Sequence, residues 1–159
     1  MSAPALSVVV PVHNEAQVLD ELVQRLKAVA SAIEGEVEII LVDDASTDAS
    51  PAIFPDLKGV RVLRLHTNVG QFRATCAGLA EAEGELVAVL DGDLQDPPEA
   101  LAGLVAARGQ SELAFAVKSA RIDPLWFRIG RWGYRALAAL GSGAPPSGAG
   151  SYCVMSSEL

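Results

Sequence analysis

The sequence predicts an α/β fold built on a mostly parallel, doubly wound sheet flanked by helices, and three observations carry that expectation. Short apolar, β-branched runs alternate along the chain with stretches of helical periodicity. The runs are apolar throughout instead of alternating with polar residues, as strands covered on both faces are. Acidic residues follow two of the runs, at Asp43-Asp44 and at Asp91-Gly92-Asp93, where the carboxyl ends of a parallel sheet bind ligands. With 159 residues, 50% hydrophobic and 20% charged, the chain is long enough to bury a core as one domain spanning residues 1–159.

Each element follows from local pattern. Leu6–Val12 reads as a buried strand. Val18, Leu19, Leu22, Val23, Leu26, Val29 and Ile33 then recur at three- and four-residue spacing, which makes an amphipathic helix closed by Gly35. Val37–Val42 is a second strand, and Ser46-Thr47-Asp48 marks a helix start with Asp48 as a cap. Val60–Leu65 is a third strand. Asn68–Gln71 reads as a helix-entry turn whose backbone amides could meet an anion, and Gln71–Ala82 as the helix it opens. Leu86–Leu90 is a fourth strand. Pro97-Pro98-Glu99 suits the first turn of a helix, where proline is tolerated, and Leu113–Val117 is a fifth strand. Gly141–Gly150, rich in Gly, Pro and Ser, reads as a flexible loop.

Charge narrows the function classes. The formal net charge of −8 argues against general nucleic-acid binding, which runs on Lys and Arg contacts to phosphate. The charge is uneven, however. Residues 1–107 carry 6 basic and 17 acidic groups, whereas residues 108–135 hold Arg108, Lys118, Arg121, Arg128, Arg131 and Arg135 against only Glu112 and Asp123. An acidic body with a basic segment suits two kinds of partner, a cation on the carboxylates and an anionic group or surface on the basic stretch. Cys76 and Cys153 show no bridge or metal-ligand spacing and read as free thiols of a reducing compartment. No run reaches the roughly 18–20 apolar residues of a membrane span, and the N-terminus lacks the basic region of a signal peptide. These features together predict a cytoplasmic chain.

The segment Asp123–Leu140 is a candidate for peripheral contact with a membrane. Trp126, Phe127, Trp132 and Tyr134 are four of the chain's eight aromatic residues. Arg128, Arg131 and Arg135 fall on one helical stripe, and Leu125, Ile129, Ala136, Leu137 and Leu140 on another. That is the pattern of an interfacial helix with arginines toward lipid phosphates; a helix packed on its own domain is the alternative. An exposed aromatic helix or sheet edge would also favour a homo-oligomer that covers it.

The strand-end carboxylates predict a cation site. On an extended chain, alternate residues point the same way, so Asp91 and Asp93 converge and Gln95 adds a neutral oxygen. Oxygen-only ligands of this kind suit Mg²⁺ or Mn²⁺, which keep waters and bridge to phosphates; the lack of a His/Cys cluster disfavours zinc.

Four motifs in order, VVVPVHNEA, LVDDASTD, NVGQFRATCAGLAEAEGELVAVLDGDLQDPPE and FAVKSAR, resemble the inverting family 2 glycosyltransferases of GT-A fold. Within that group the closest pattern is that of the polyprenyl-phosphate sugar transferases, such as dolichol-phosphate mannose synthase and the undecaprenyl-phosphate transferases. The resemblance implies that Pro11, His13 and Glu15 line the nucleotide pocket and that Asp44 faces the base. It implies that Asp91 serves the nucleotide and the metal, that Asp93 and Gln95 hold the metal at the diphosphate, and that Lys118 and Arg121 stand near the donor phosphates. It also implies a UDP- or GDP-linked sugar as donor, a polyprenyl phosphate as acceptor, and an inverting, metal-dependent transfer. His13 stands where Tyr is frequent, Lys118 where Arg is common, and DGD replaces DAD. SGAGSYCVMSSEL resembles a mid-family stretch, so the fold is expected to be C-terminally short, and a nucleotide-binding module without turnover is the alternative reading.

Overall fold

The computed structural model describes residues 3–109, 111–117 and 149–158. The chain divides into two compact units, Met1–Phe115 with Ser151–Leu159, and Ala116–Gly150. The first unit holds the four parallel strands and the described helices.

A six-stranded sheet organises the fold, with strands β1 (Leu6–Val12), β2 (Val37–Asp43), β3 (Arg61–Arg64), β4 (Leu86–Val89), β5 (Leu113–Val117) and β6 (Ala149–Ser156) in the spatial order 3-2-1-4-6-5. The β1/β2, β1/β4 and β2/β3 pairs are parallel; β4/β6 is antiparallel. The helices are α1 (Leu19–Ala30), a single turn α2 (Ser50–Ile53) followed by a 3₁₀ turn at Phe54–Asp56, α3 (Gln71–Ala80) and α4 (Ala100–Arg108). β1 runs at the centre, paired with β2 from Leu6↔Val37 to Val12↔Asp43 and with β4 from Leu6↔Leu86 to Val9↔Val89. Every residue of β1 is buried, which explains why its sequence shows no polar alternation.

The helical periodicity of α1 is realised in its packing, with Leu19, Leu22, Val23, Leu26 and Val29 buried. On α3 the buried positions are Ala74 and Gly78, packed on β1 and β2. A Cβ at residue 78 would lie 2.7 Å from Val42 Cγ2 and closer still to Val9 Cγ1, so the lack of a side chain sets how near α3 comes to the sheet. Val9, Ile40, Val42, Ala74, Val87, Val89 and Cys153 form the core at this contact.

Two local expectations are corrected. The helix after β2 begins at Ser50, later than Ser46-Thr47-Asp48, because Asp48 turns its carboxylate onto the Ser50 amide (2.9 Å) and so caps from outside. The loop expected over Gly141–Gly150 gives way to strand at residue 149, where β6 begins; residues 141–148 lie outside the described residues. β6 enters between β4 and β5, and its Tyr152 hydroxyl donates to the Pro98 carbonyl at 3.3 Å, beneath the turn that follows the Asp91–Asp93 segment.

Candidate functional site

The strand order places β1 between β2 and β4, so the chain connections leave in opposite directions on its two sides. In a doubly wound sheet the crevice at this reversal, outside the strands' carboxyl ends, is where ligands bind. An open cleft lies there, lined by residues that include Pro11, His13, Glu15, Asp44, Gln71, Asp91 and Asp93. The parallel pairing is the cause: it brings the ends of β1, β2 and β4 to one edge, and with them three acidic segments distant in sequence.

At the exit of β1, His13 is fixed by a network whose hydrogen positions follow from its partners. Asn14 Oδ1 accepts from the backbone amides of Thr47 (2.7 Å) and Asp48 (3.2 Å), so its Nδ2 faces His13 Nε2 at 3.1 Å. Asn68 Oδ1 accepts from the Gly70 amide (3.1 Å), and its Nδ2 also stands 3.1 Å from His13 Nε2. Nε2 is therefore the acceptor, and Nδ1–H donates to the Asp44 carbonyl at 2.8 Å. Asn14 adopts φ +59°, in the left-handed region that Asn tolerates better than most residues. Glu15 follows at the entry of α1, its carbonyl accepting the Val18 and Leu19 amides (3.0 and 3.2 Å). Partial burial first, and then the charges of Asp93 and Asp48, push the Glu15 carboxyl above the usual carboxylate range.

Asp43 and Asp44 are both buried. Asp43 accepts from the Ser46 amide (2.9 Å) and from Arg64 Nε (3.2 Å) and so braces its own loop. Asp44 lines the cleft, and its carboxylate accepts two backbone amides, Val69 on Oδ1 (2.7 Å) and Gly70 on Oδ2 (2.8 Å). The Asn68–Gln71 amides thus do meet an anion, and it is the chain's own Asp44. Gly70 holds φ +86° at the N-terminus of α3, a conformation that glycine adopts without strain.

Asp91 and Asp93 both line the cleft, but not by the geometry expected of them. The extended backbone ends before Gly92; residues 92–96 form a turn in which Leu94 has φ +59°. Gly92 is packed so closely that a Cβ there would lie 2.8 Å from Val12 Cγ1 and 3.0 Å from the Pro11 carbonyl. Gln95 consequently leaves the i, i+2 series: its side chain is exposed and outside the cleft lining, while its amide donates to Asp93 Oδ1 at 2.9 Å. Gln71, first residue of α3, was not among the expected site residues, yet it lines the cleft and its Nε2 donates to Asp91 Oδ1. The available signal was its place directly after Gly70 at a helix entry on the sheet's carboxyl edge. Lys118, Arg121 and the 123–140 segment lie outside the described residues.

Among the described residues no three His, Cys, Asp or Glu side chains gather as a metal-holding group. The donor set that is present fits a hard cation nonetheless. Asp91 and Asp93 offer carboxylate oxygens on an open cleft, and Mg²⁺ or Mn²⁺ is commonly held by one or two carboxylates with phosphate and water completing its shell. Glu99, expected as a helix-start charge, stands at the entry of α4 and is gripped by Arg25 of α1 through two bonds (2.8 and 2.6 Å); His66 is exposed. Among the described residues no helix is long and apolar enough to cross a membrane.

Comparison with known proteins bears on the family and the fold. The model of glycosyl transferase family 2 matches residues 7–132. The chain is 39% identical over 135 residues to the undecaprenyl-phosphate 4-deoxy-4-formamido-L-arabinose transferase of Sodalis glossinidius (strain morsitans), covering 80% of this chain and 41% of that protein. It is 42% identical over 118 residues to the protein of the same name from Pseudomonas fluorescens, covering 70% of this chain and 34% of that protein. The chain thus spans about two-fifths or less of the length of these curated relatives. Among solved structures, S. aureus TarS 1-349 in complex with UDP superposes with a TM-score of 0.54 at 26% identity, over 75% of this chain and 38% of that one. Glucosyl-3-phosphoglycerate synthase from Mycobacterium tuberculosis, solved with Mn²⁺, UDP and glucosyl-3-phosphoglycerate, gives a TM-score of 0.68 at 24% identity over 98% of this chain and 57% of that one, a likeness of fold alone.

Proposed function

The chain belongs to glycosyl transferase family 2, with the GT-A fold, and from that premise we propose that it binds a nucleotide-diphosphate sugar in the β1/β2/β4 cleft and passes the sugar to a polyprenyl phosphate with inversion. The observation that carries this reading is the convergence of His13, Glu15, Asp44, Asp91 and Asp93 on one cleft at the sheet's switch point. The relatives named as undecaprenyl-phosphate transferases support the acceptor, and TarS solved with UDP supports a nucleotide donor.

The chemistry follows from charge. Departure of a nucleoside diphosphate builds negative charge on its β-phosphate. A divalent cation, which Asp91 and Asp93 would hold, supplies neutralisation there without proton transfer. Pro11, His13, Glu15 and Asp44 would hold the nucleotide end. Asp44 and His13 are themselves immobilised by backbone and amide partners, so they present a preorganised wall. The resemblance assigns Lys118 and Arg121 to the donor phosphates, and the aromatic and arginine stripes of residues 123–140 suit a membrane surface that would carry the acceptor. A lipid phosphate is already anionic near neutral pH, so no side chain must remove a proton from the attacking oxygen. In-line attack then inverts the anomeric centre.

Calorimetric titration of the chain with UDP and with GDP, each with and without Mn²⁺, tests the donor site, with Asp93→Ala as the control. Mn²⁺-dependent binding of one nucleotide that is lost in Asp93→Ala supports the reading and names the base. Undecaprenyl phosphate in vesicles then tests transfer. Nucleotide binding without lipid-linked product supports a nucleotide-binding module without turnover, and a product of retained configuration overturns the in-line step.

A further inference from the structure

We propose that Gln71 is a positioning residue for Asp91, and that it ties the metal side of the cleft to the turn held by Asp44. The inference rests on the donor-site reading. Gln71 and Asp91 come from different elements, the first residue of α3 and the segment that follows β4, and both line the cleft. Gln71 Nε2 donates to Asp91 Oδ1, a bond that favours one orientation of that carboxylate. The backbone that carries Gln71 is itself pinned. The two preceding amides, Val69 and Gly70, bond the two oxygens of Asp44 at 2.7 and 2.8 Å, and the Gly70 and Gln71 carbonyls accept from the Ala74 amide (3.1 Å) and Thr75 Oγ1 (2.9 Å). An exposed glutamine side chain thus reaches Asp91 from a fixed origin.

The choice of an amide for this task has a physical reason. Lys or Arg at residue 71 would also donate, but its charge would oppose a cation at Asp91. Glu would repel the carboxylate. Gln orients Asp91 without bringing a positive charge beside the cation. Ordering the carboxylate before the cation arrives lowers the cost of binding, which is the ordinary role of a residue behind a metal ligand.

The test measures UDP affinity with and without Mn²⁺ for wild type, Gln71→Met and Asp93→Ala, together with each thermal midpoint. Methionine keeps the length and helix propensity of Gln and removes the amide that donates to Asp91. The expected result is that Gln71→Met loses about tenfold of the affinity that Mn²⁺ adds, while metal-free UDP affinity and the midpoint stay at wild-type values. A role in the fold alone would lower the midpoint and both affinities together, and that result overturns the proposal. Equal Mn²⁺ gains in wild type and Gln71→Met, alongside a lost gain in Asp93→Ala, overturn this proposal and leave the donor site standing. No Mn²⁺ gain in the wild type overturns the donor-site reading and this proposal with it.

Discussion

Replacing Asp44 by Asn removes one negative oxygen from the centre of the site and should loosen the α3 entry by a calculable amount. The residue is 3% exposed, and its two carboxylate oxygens serve two backbone donors at 2.7 and 2.8 Å. Asparagine keeps the shape but has a single oxygen, so its NH₂ must face either the Val69 or the Gly70 amide. Gly70 has a second acceptor in Asn68 Oδ1 at 3.1 Å, so the substituted amide turns its NH₂ toward Gly70 and keeps its oxygen for Val69. One charge-assisted bond is then lost and the other becomes neutral. A hydrogen bond to a charged group contributes about 1.5–3 kcal/mol, and the Asn68 acceptor limits the further penalty for an unsatisfied amide, so the expected loss is about 2 kcal/mol. Against a total stability of about 5–15 kcal/mol this is a large share, and at this chain length it lowers the thermal midpoint by roughly 4–8 °C. Urea unfolding should show a lower midpoint at constant slope, and hydrogen exchange should accelerate at Val69 and Gly70 while Val9 and Ile40 stay protected. A midpoint within about 1 °C of wild type, with exchange at Val69 and Gly70 unchanged, would refute the assignment of Asp44 as the anchor of this turn.

Two further perturbations probe the frame around the site. Gly78→Val inserts branched carbons where even a Cβ would crowd Val9 and Val42; about 3 kcal/mol of overpacking is expected in urea unfolding, and an undiminished midpoint would show that α3 can back away from the sheet. The Arg25 guanidinium pulls the Glu99 carboxyl down to about 2 from its ordinary 4.5, so the ionised clip between α1 and α4 is fully present above pH 4.5 and is lost as pH falls toward 2. Glu99→Gln should flatten that portion of the acid stability profile, with a small effect because the pair is exposed and salt-screened; an unchanged profile would show that the clip contributes nothing.

Much of the frame is legible in the sequence because burial on both faces leaves a plain mark. Leu6–Val12 is predicted and observed with the same limits, since a central parallel strand is apolar from end to end. The acidic segments after β2 and β4 are legible for a related reason: parallel strands deliver their carboxyl ends to one edge whatever lies between. Gln95 is misplaced by the same logic, because side-chain alternation requires extended backbone and the chain turns at Gly92. Gln71 is not legible as a partner of Asp91, since nothing local specifies a side-chain bond between α3 and the end of β4. β6 is hidden behind a Gly/Pro/Ser-rich approach. Its Tyr152, Cys153 and Val154 are all buried, so it too lacks the polar alternation that marks a half-exposed strand.

The place of β6 in the sheet also bears on how the chain comes into being. β4 receives β1 on one side, but its other edge, Leu86–Val89, is satisfied only when Val154, Met155 and their neighbours arrive antiparallel from much later in the sequence. During synthesis on a ribosome, the apolar edge of β4 therefore emerges long before its cover does. In that interval it offers the row of open amides and carbonyls that invites pairing with another nascent molecule. Closing so distant a contact is also slow, so this edge of β4 stays open until Cys153–Ser156 pairs with it.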